Sequence, residues 1–421
     1  MKHKISIVPI TMLVILLIIV LVGCSPFFVG LDGNNTSNNS NPTSPDNTNN
    51  QSPVIAPPAD YNITIKQGNP LPEDGYSFPD LVESVENSVV SIYVADGNRK
   101  SAGSAVFYAE SDTQGTPPLL VTCAHVIDYA LTTNINAKIT AIIHDGTEVE
   151  CKIVGADDEE DLAVLTITDS EDLQSIEGKY SSVKLRPKDN NIRTGETVFA
   201  IGNPLGTLGG SVTKGIISGK ERVINMDGVS MNLLQIDVAV NQGNSGGALF
   251  DIAGNLIGIV NAKSIGEGVE GIGYAIHIDD VNRVSQSIIE TSGKAGYNNL
   301  GYVEGKVRLG VTVQIPKGQT SPYKYVILSL NPYGTVAAYN ANVVENDKII
   351  KENDYITSIR KKDEPTPIVF SQLNTLGDFI KTLHVGDQIV ITVERVERPG
   401  LVTNQFSVEL TMQQYVYGHT P

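Results

Sequence analysis

The chain has 421 residues, a formal net charge of −17 at pH 7, three cysteines and no tryptophan. That length allows two or three domains with substantial cores. An acidic balance without a basic stripe excludes binding along a nucleic-acid backbone and keeps an exposed protein soluble. No metal-ligand spacing is present, and no cofactor is expected.

The N-terminus comes first. Lys2, His3 and Lys4 precede an apolar run over 5–22, long enough to cross a bilayer with its basic flank on the cytoplasmic side. The run ends in Leu21-Val22-Gly23-Cys24, which resembles a bacterial lipoprotein signal with Cys24 as the lipidated residue. An uncleaved signal anchor is the alternative. Either one puts the folded part outside the cytoplasmic membrane. Residues 1–23 are thus read as signal or membrane segment, and 24–75 as an Asn/Ser/Pro-rich tether with too few apolar side chains to offset ordering entropy. Asn34-Asn35-Thr36 and Asn62-Ile63-Thr64 match a glycosylation pattern that a bacterial lipoprotein does not use.

From residue 89 short β-rich runs alternate with Gly, Asn and Asp turns, which predicts an all-β barrel architecture. Strands are expected over 89–95, 105–109, 119–124, 148–154, 162–167, 197–201, 212–218 and 233–238. A further hairpin is expected over 248–260, broken at Ala253-Gly254-Asn255. The apolar run 119–124 delivers His125. An acidic turn at 157–161 abuts the next apolar run: Asp157, Asp158, Glu159 and Glu160 read as a solvated loop, whereas Asp161 is placed to be buried against a histidine. Cys123 and Cys151 fall on buried strands and read as two free thiols, a disulfide being the alternative. Cys123 as a nucleophile is disfavoured because residues two apart on a strand diverge.

Next comes Gln242-Gly243-Asn244-Ser245-Gly246-Gly247-Ala248, where flanking glycines allow a sharp turn that exposes a serine hydroxyl beside convergent N–H groups. An α/β-hydrolase also carries G-x-S-x-G, but it needs a helix directly after the serine and a histidine late in the chain. The segment after Ser245 reads as a hairpin, and His277, His384 and His419 lack matching surroundings. The order His125, Asp161, Ser245 is that of chymotrypsin.

Thr122-Cys123-Ala124-His125-Val126-Ile127, Asp161-Leu162-Ala163-Val164-Leu165 and Gly243-Asn244-Ser245-Gly246-Gly247 together resemble the HtrA/DegP-type serine proteases. The resemblance extends through Ala200-Ile201-Gly202-Asn203-Pro204-Leu205-Gly206, Gln235-Ile236-Asp237 and Gly271-Ile272-Gly273-Tyr274-Ala275-Ile276. It implies a mostly β chain: a chymotrypsin-like double β-barrel protease over 76–295, followed by a small α+β PDZ-like domain over 300–415. His125, Asp161 and Ser245 take the catalytic roles, and Gly243, Asn244 and Ser245 form the oxyanion turn. Asn244 cannot make the ion pair by which a freed N-terminus activates many trypsin-like zymogens. Gln242 and Ala248 stand where the family commonly has proline. Small aliphatic residues are expected before the scissile bond, in a pocket walled by 261–271.

A helix over 279–291 closes the protease. In the remainder, Leu309, Gly310 and Val311 resemble the carboxylate-binding turn and strand of a PDZ domain, with strands over 325–330 and 388–393 and a helix over 379–383. The implied partners are unfolded or damaged proteins, C-terminal peptides, the membrane through an anchor, and two further copies in a homotrimer packed through Tyr76 and Phe78. A non-catalytic chaperone or peptide-binding module for unfolded envelope proteins is the alternative function.

Overall fold

The computed structural model describes residues 54–418, apart from 58, 60, 62, 70–76, 98, 112–115, 189–190, 203–209, 227–228, 242, 263–270, 344–347, 372–374 and 399–400. Cys24, Tyr76 and Gln242, and the pocket segment 263–270, lie outside the described residues. Among those described, no helix is long and apolar enough to cross a membrane.

Chain order begins with β1 (Lys66–Gln67) and α1 (Phe78–Val85), which has Pro79 in its first turn, where a missing N–H costs nothing. Six strands then close a barrel: β2 (Val89–Asp96), β3 (Arg99–Ala109), β4 (Leu119–Thr122), β5 (Lys138–Ile142), β6 (Glu148–Asp157) and β7 (Leu162–Thr166). Between β4 and β5 lies the short helix α2 (Ala124–Asp128), extended by a wider turn over Tyr129–Thr133. After β7 come α3 (Ser170–Ile176), capped by the Asp169 carboxylate, and β8 (Lys184–Leu185). The second barrel has β9 (Thr197–Gly202), β10 (Ser211–Met226), β11 (Val229–Ile236), β12 (Ala248–Asp251), β13 (Asn255–Asn261) and β14 (Gly273–His277), closed by pairing of β13 with β14.

Both barrels wind alike. The ring order is β2-β3-β4-β7-β6-β5 in the first and β9-β10-β11-β14-β13-β12 in the second. This is a chymotrypsin-like fold. Its strands are buried on nearly every residue, as in β7 and β13, because barrel interior and barrel-to-barrel packing cover both faces. Helix α4 (Ile278–Thr291) closes the second barrel, with Val281, Val284, Ile288 and Ile289 buried on one stripe.

A third sheet, β15 (Val311–Gln314), β16 (Tyr325–Leu330), β17 (Tyr355–Lys361), β18 (Gln388–Arg398) and β19 (Leu401–Thr411), carries α5 (Thr335–Asn342) and α6 (Leu376–Ile380) and has a core of its own. It fits a PDZ-like domain. Asn353 has φ +68°, a left-handed position that asparagine tolerates.

Two expectations change. The tether does not run to residue 75: Val54 and Ala56 are buried in the protease core and exchange backbone hydrogen bonds with Ile153. Further on, β1 pairs with β8, and the Asn255 side chain holds both the N–H (2.7 Å) and the carbonyl (2.8 Å) of Asn69. The apolar side chains Val54, Ile55, Ile63 and Ile65, sparse among polar neighbours, are enough to strap this segment across both barrels. At the other end, Tyr415, Val416 and Tyr417 bury themselves in the protease core, not in that of the third sheet.

Candidate active site

Strand β4 ends at Thr122, two residues before its expected end, and Cys123 caps α2, so His125 sits in the first turn of a helix. Its side chain stays 26 % exposed. Asp161 is the last residue of a hairpin turn between β6 and β7, at φ +50° and 1 % exposed. A short carboxylate side chain is among the few that tolerate that backbone. Asp161 Oδ2 lies 2.7 Å from His125 Nδ1, while Oδ1 accepts the His125 N–H at 2.9 Å. The same carboxylate accepts from Asn261 Nδ2 at 2.9 Å. Three donors therefore stabilise one buried charge, which without them would cost several kcal/mol, on the order of a broken buried pair.

Ser245 lies in the turn between β11 and β12. Gly246 has φ +83°, and a Cβ there would sit 2.0 Å from the Ser104 carbonyl oxygen. Gly247 is also confined, with a Cβ there 2.5 Å from the Ile201 carbonyl oxygen. The first barrel grips this turn: Ser104 N–H donates to the Ser245 carbonyl at 2.8 Å, and Ser104 Oγ donates to the Gly243 carbonyl at 3.0 Å. Thr122 Oγ1 in turn donates to the Ser104 carbonyl at 2.6 Å. Within the turn, the N–H groups of Asn244, Gly246 and Gly247 are used by the carbonyls of Asn241, Val260 and Asn244. Among the described residues, those of Gly243 and Ser245, in the turn expected to bind an oxyanion, are not. The Asn244 side chain is buried, with Oδ1 lacking a hydrogen-bond partner.

Ser245 Oγ accepts from the Ala262 N–H at 3.2 Å. Asn261 and Ala262 thus join the two halves: one reaches Asp161 from the second barrel, the next holds the serine. The sequence had placed both only as pocket wall. Their signal was position, directly after the apolar run of β13.

Cys123 is fully buried, and its Sγ donates to the Val260 carbonyl at 3.4 Å. Ligand atoms of Cys123, His125 and Asp161 lie within 4.8 Å of one another. Both Asp161 oxygens are already taken by N–H donors, so the cluster offers a hydrogen-bonded His125–Asp161 pair and not an open ligand set. Cys123 and Cys151 are free thiols, as expected, and burial pushes the Cys151 thiol up to about 12.

The acidic turn corrects the sequence reading. Asp157 is 2 % exposed and not solvated; it accepts both Lys306 bonds at 2.7 Å and the N–H groups of Glu159 and Glu160. Asp158 pairs with Arg308 at 2.6 Å and accepts from the Tyr415 hydroxyl at 2.8 Å. Sequence could not anticipate partners roughly 150 residues away.

Elsewhere, Gly310 has φ +79° and packs on Gly334, and the Leu309 and Gly310 carbonyls accept from Val336 and Asn331. Val311 opens β15, which pairs only with β16 among the described strands. Phe78 packs edge-on against Phe199 of its own chain at 5.3 Å.

The family model described as a trypsin-like peptidase domain matches residues 103–259, a span that contains His125, Asp161 and Ser245. "Serine protease Do-like HtrA" of Bacillus subtilis (strain 168) is 34 % identical over 236 residues, covering 52 % of this chain and 49 % of that protein. "Serine protease Do-like HtrB" of the same organism is 32 % identical over 345 residues, 75 % of this chain and 68 % of that protein. The "Probable periplasmic serine endoprotease DegP-like" of Rickettsia prowazekii (strain Madrid E) is 36 % identical over 256 residues, 58 % of this chain and 44 % of that protein. The chain thus spans about half the length of the first and third of these relatives. It follows the second through most of that protein's length, across both barrels. A trypsin-like barrel pair and a relative matched on that scale together place the chain in the HtrA/DegP family of serine proteases.

Proposed function

We propose that the protein is an extracytoplasmic serine endopeptidase that cleaves unfolded or damaged envelope proteins through an acyl-enzyme, with the C-terminal sheet acting as a PDZ domain that tunes it. The observation that carries this reading is the His125 Nδ1···Asp161 contact of 2.7 Å, bridged through Asn261 and Ala262 to the Ser245 hydroxyl. Ser245 Oγ leaves the Ala262 N–H, turns to His125 Nε2 and attacks the scissile carbonyl while the imidazole takes its proton. Asp161 holds the Nδ1–H tautomer and stabilises the imidazolium. The tetrahedral oxyanion is bound by the N–H groups of Gly243 and Ser245, and Nε2 then protonates the departing amine. Water attacks the acyl-enzyme by the reverse route.

The site outside the cytoplasmic membrane rests on the basic flank and apolar run over 2–22, with Cys24 as the lipid anchor. One relative is described as periplasmic. Leu309, Gly310 and Val311, at the start of an edge strand, would take a peptide C-terminus as an added strand. A homotrimer is the proposed assembly.

Hydrolysis of casein tests the chemistry. Wild type should cleave it, and Ser245→Ala should lose about a million-fold in turnover with an unchanged circular dichroism spectrum. No cleavage by the wild type would leave the peptide-binding module as the reading. A C-terminal peptide that leaves the rate unchanged would end the proposed PDZ role.

A further inference from the structure

The turn that ends in Asp161 is a run of five carboxylates, Asp157, Asp158, Glu159, Glu160 and Asp161. Asp157 pairs across the hairpin with Leu162, so the other four acids make the whole loop. Like charges this close repel, and the repulsion is strongest where burial lowers the dielectric. Asp161 also holds a left-handed backbone at φ +50°. Something must hold the loop in this shape.

The counter-charges come mostly from beyond the barrels. Lys306 Nζ meets Asp157 at 2.7 Å and Glu159 at 2.9 Å, while Arg308 meets Asp158 at 2.6 Å and Glu159 at 3.4 Å. Only Glu160 has its cation on the protease closing helix, Arg283 at 3.3 Å. Burial favours the neutral form of both cations, yet the facing carboxylates hold Lys306 and Arg308 above their ordinary values.

The chain's last described residues lock these cations. Tyr415 N–H donates to the Lys306 carbonyl at 2.8 Å, Val307 bridges Gln414, and Gln414 Nε2 donates to the carbonyls of Val303 and Lys306. The Tyr415 hydroxyl accepts from Arg308 at 3.0 Å and donates to Asp158 at 2.8 Å, and the guanidinium stacks over its ring. Tyr417, which donates to Asp128 at the end of the histidine's helix, fixes the other side.

We propose that Lys306, Arg308 and Tyr415 are positioning residues for the triad: contributed from outside both barrels, they hold the acidic turn so that Asp161 meets His125. The inference deepens the proposed catalytic reading and rests on it. The three act through Asp157 and Asp158 on the backbone that presents Asp161.

The test uses the full-length chain and a chromogenic peptide substrate, with circular dichroism as the folding check. Arg308→Gln and Lys306→Met should each lower kcat about ten- to hundredfold at nearly constant KM, the scale of a catalytic group displaced by about 1 Å. Arg308→Lys should recover part of the loss, as should Asp158→Asn added to Arg308→Gln, because it removes the charge left unpaired. The downfield proton resonance of His125 Nδ1–H, shared with Asp161, should move upfield in Arg308→Gln. Should Arg308→Gln fail to fold, Tyr415→Phe, which removes a single hydroxyl, decides by the same readouts. Wild-type kcat with an unmoved resonance, or a loss confined to KM, would overturn the proposal. Activity surviving in Ser245→Ala would instead overturn the catalytic reading beneath it.

Discussion

At Asp161 the backbone and the side chain make separate demands. The left-handed φ of +50° suits only a short polar side chain or glycine, and three N–H donors demand an acceptor. Asp161→Asn keeps the first and breaks the second, so it should fold normally and lose about ten-thousandfold in kcat through the wrong imidazole tautomer. Asn261→Ala removes one of the donors. It should cost about tenfold in kcat/KM, roughly one lost hydrogen bond to a charged group, measurable on any peptide the wild type cleaves. The thiols give a test of packing: Cys123 and Cys151 are fully buried, so alkylation in native buffer should proceed only at the rate of unfolding. Of this site, the placing of His125, Asp161 and Ser245 and the tight glycine turn were legible in sequence because each abuts an apolar run or a glycine pair. Asn261, Ser104 and Thr122 were not, since a polar residue on a strand looks alike whether it faces water or a buried polar partner.

Among the elements, barrel strands and the long closing helix α4 were legible, and the short helices were not. β7, β13 and their neighbours are continuous apolar runs bounded by turn residues, which fixes their existence. The short helices α2 and α3 are too brief for a 3.6-residue period to show, and β10 runs eight residues past its expected end, into a long hairpin with β11. One connection carries a measurable charge balance. Arg186, after β8, donates to Glu196 at 2.6 Å and lies 3.8 Å from Asp251 on β12. Burial alone would raise both acids; Arg186 and Arg193 hold Glu196 below its usual value, whereas burial leaves Asp251 above it. A depressed acid stabilises the fold above the unfolded carboxylate value of about 4.3 and loses that contribution as the pH falls through its folded value. Glu196→Gln should therefore lower the urea midpoint at pH 7, and the gap to wild type should narrow by pH 3.

For the whole molecule, the two termini of the described structure are straps. The N-terminal one crosses from Ile153 in the first barrel to Asn255 in the second, and composition alone had assigned it to the tether. A polar tract with four well-spaced aliphatic side chains has the average of a disordered segment, yet each can find a slot on a surface already built. A chain beginning at Gln51 should melt with the full-length protein. One beginning at Phe78 should melt several degrees lower, since it loses buried Val54 and Ala56 and takes both Asn69 hydrogen bonds from the Asn255 side chain, whose Nδ2 then keeps only Asp251.

The two barrels repeat one winding pattern, and each closes its own ring of strands. The acid and the imidazole belong to one ring, the nucleophile and Asn261 to the other. Nicking the polypeptide anywhere between Leu185 and Thr197 would give two pieces, each able to complete its own hydrogen-bonded cylinder and each chemically mute. Peptide cleavage would reappear only when the fragments were mixed, so the enzyme behaves as an AND gate whose inputs are its own halves.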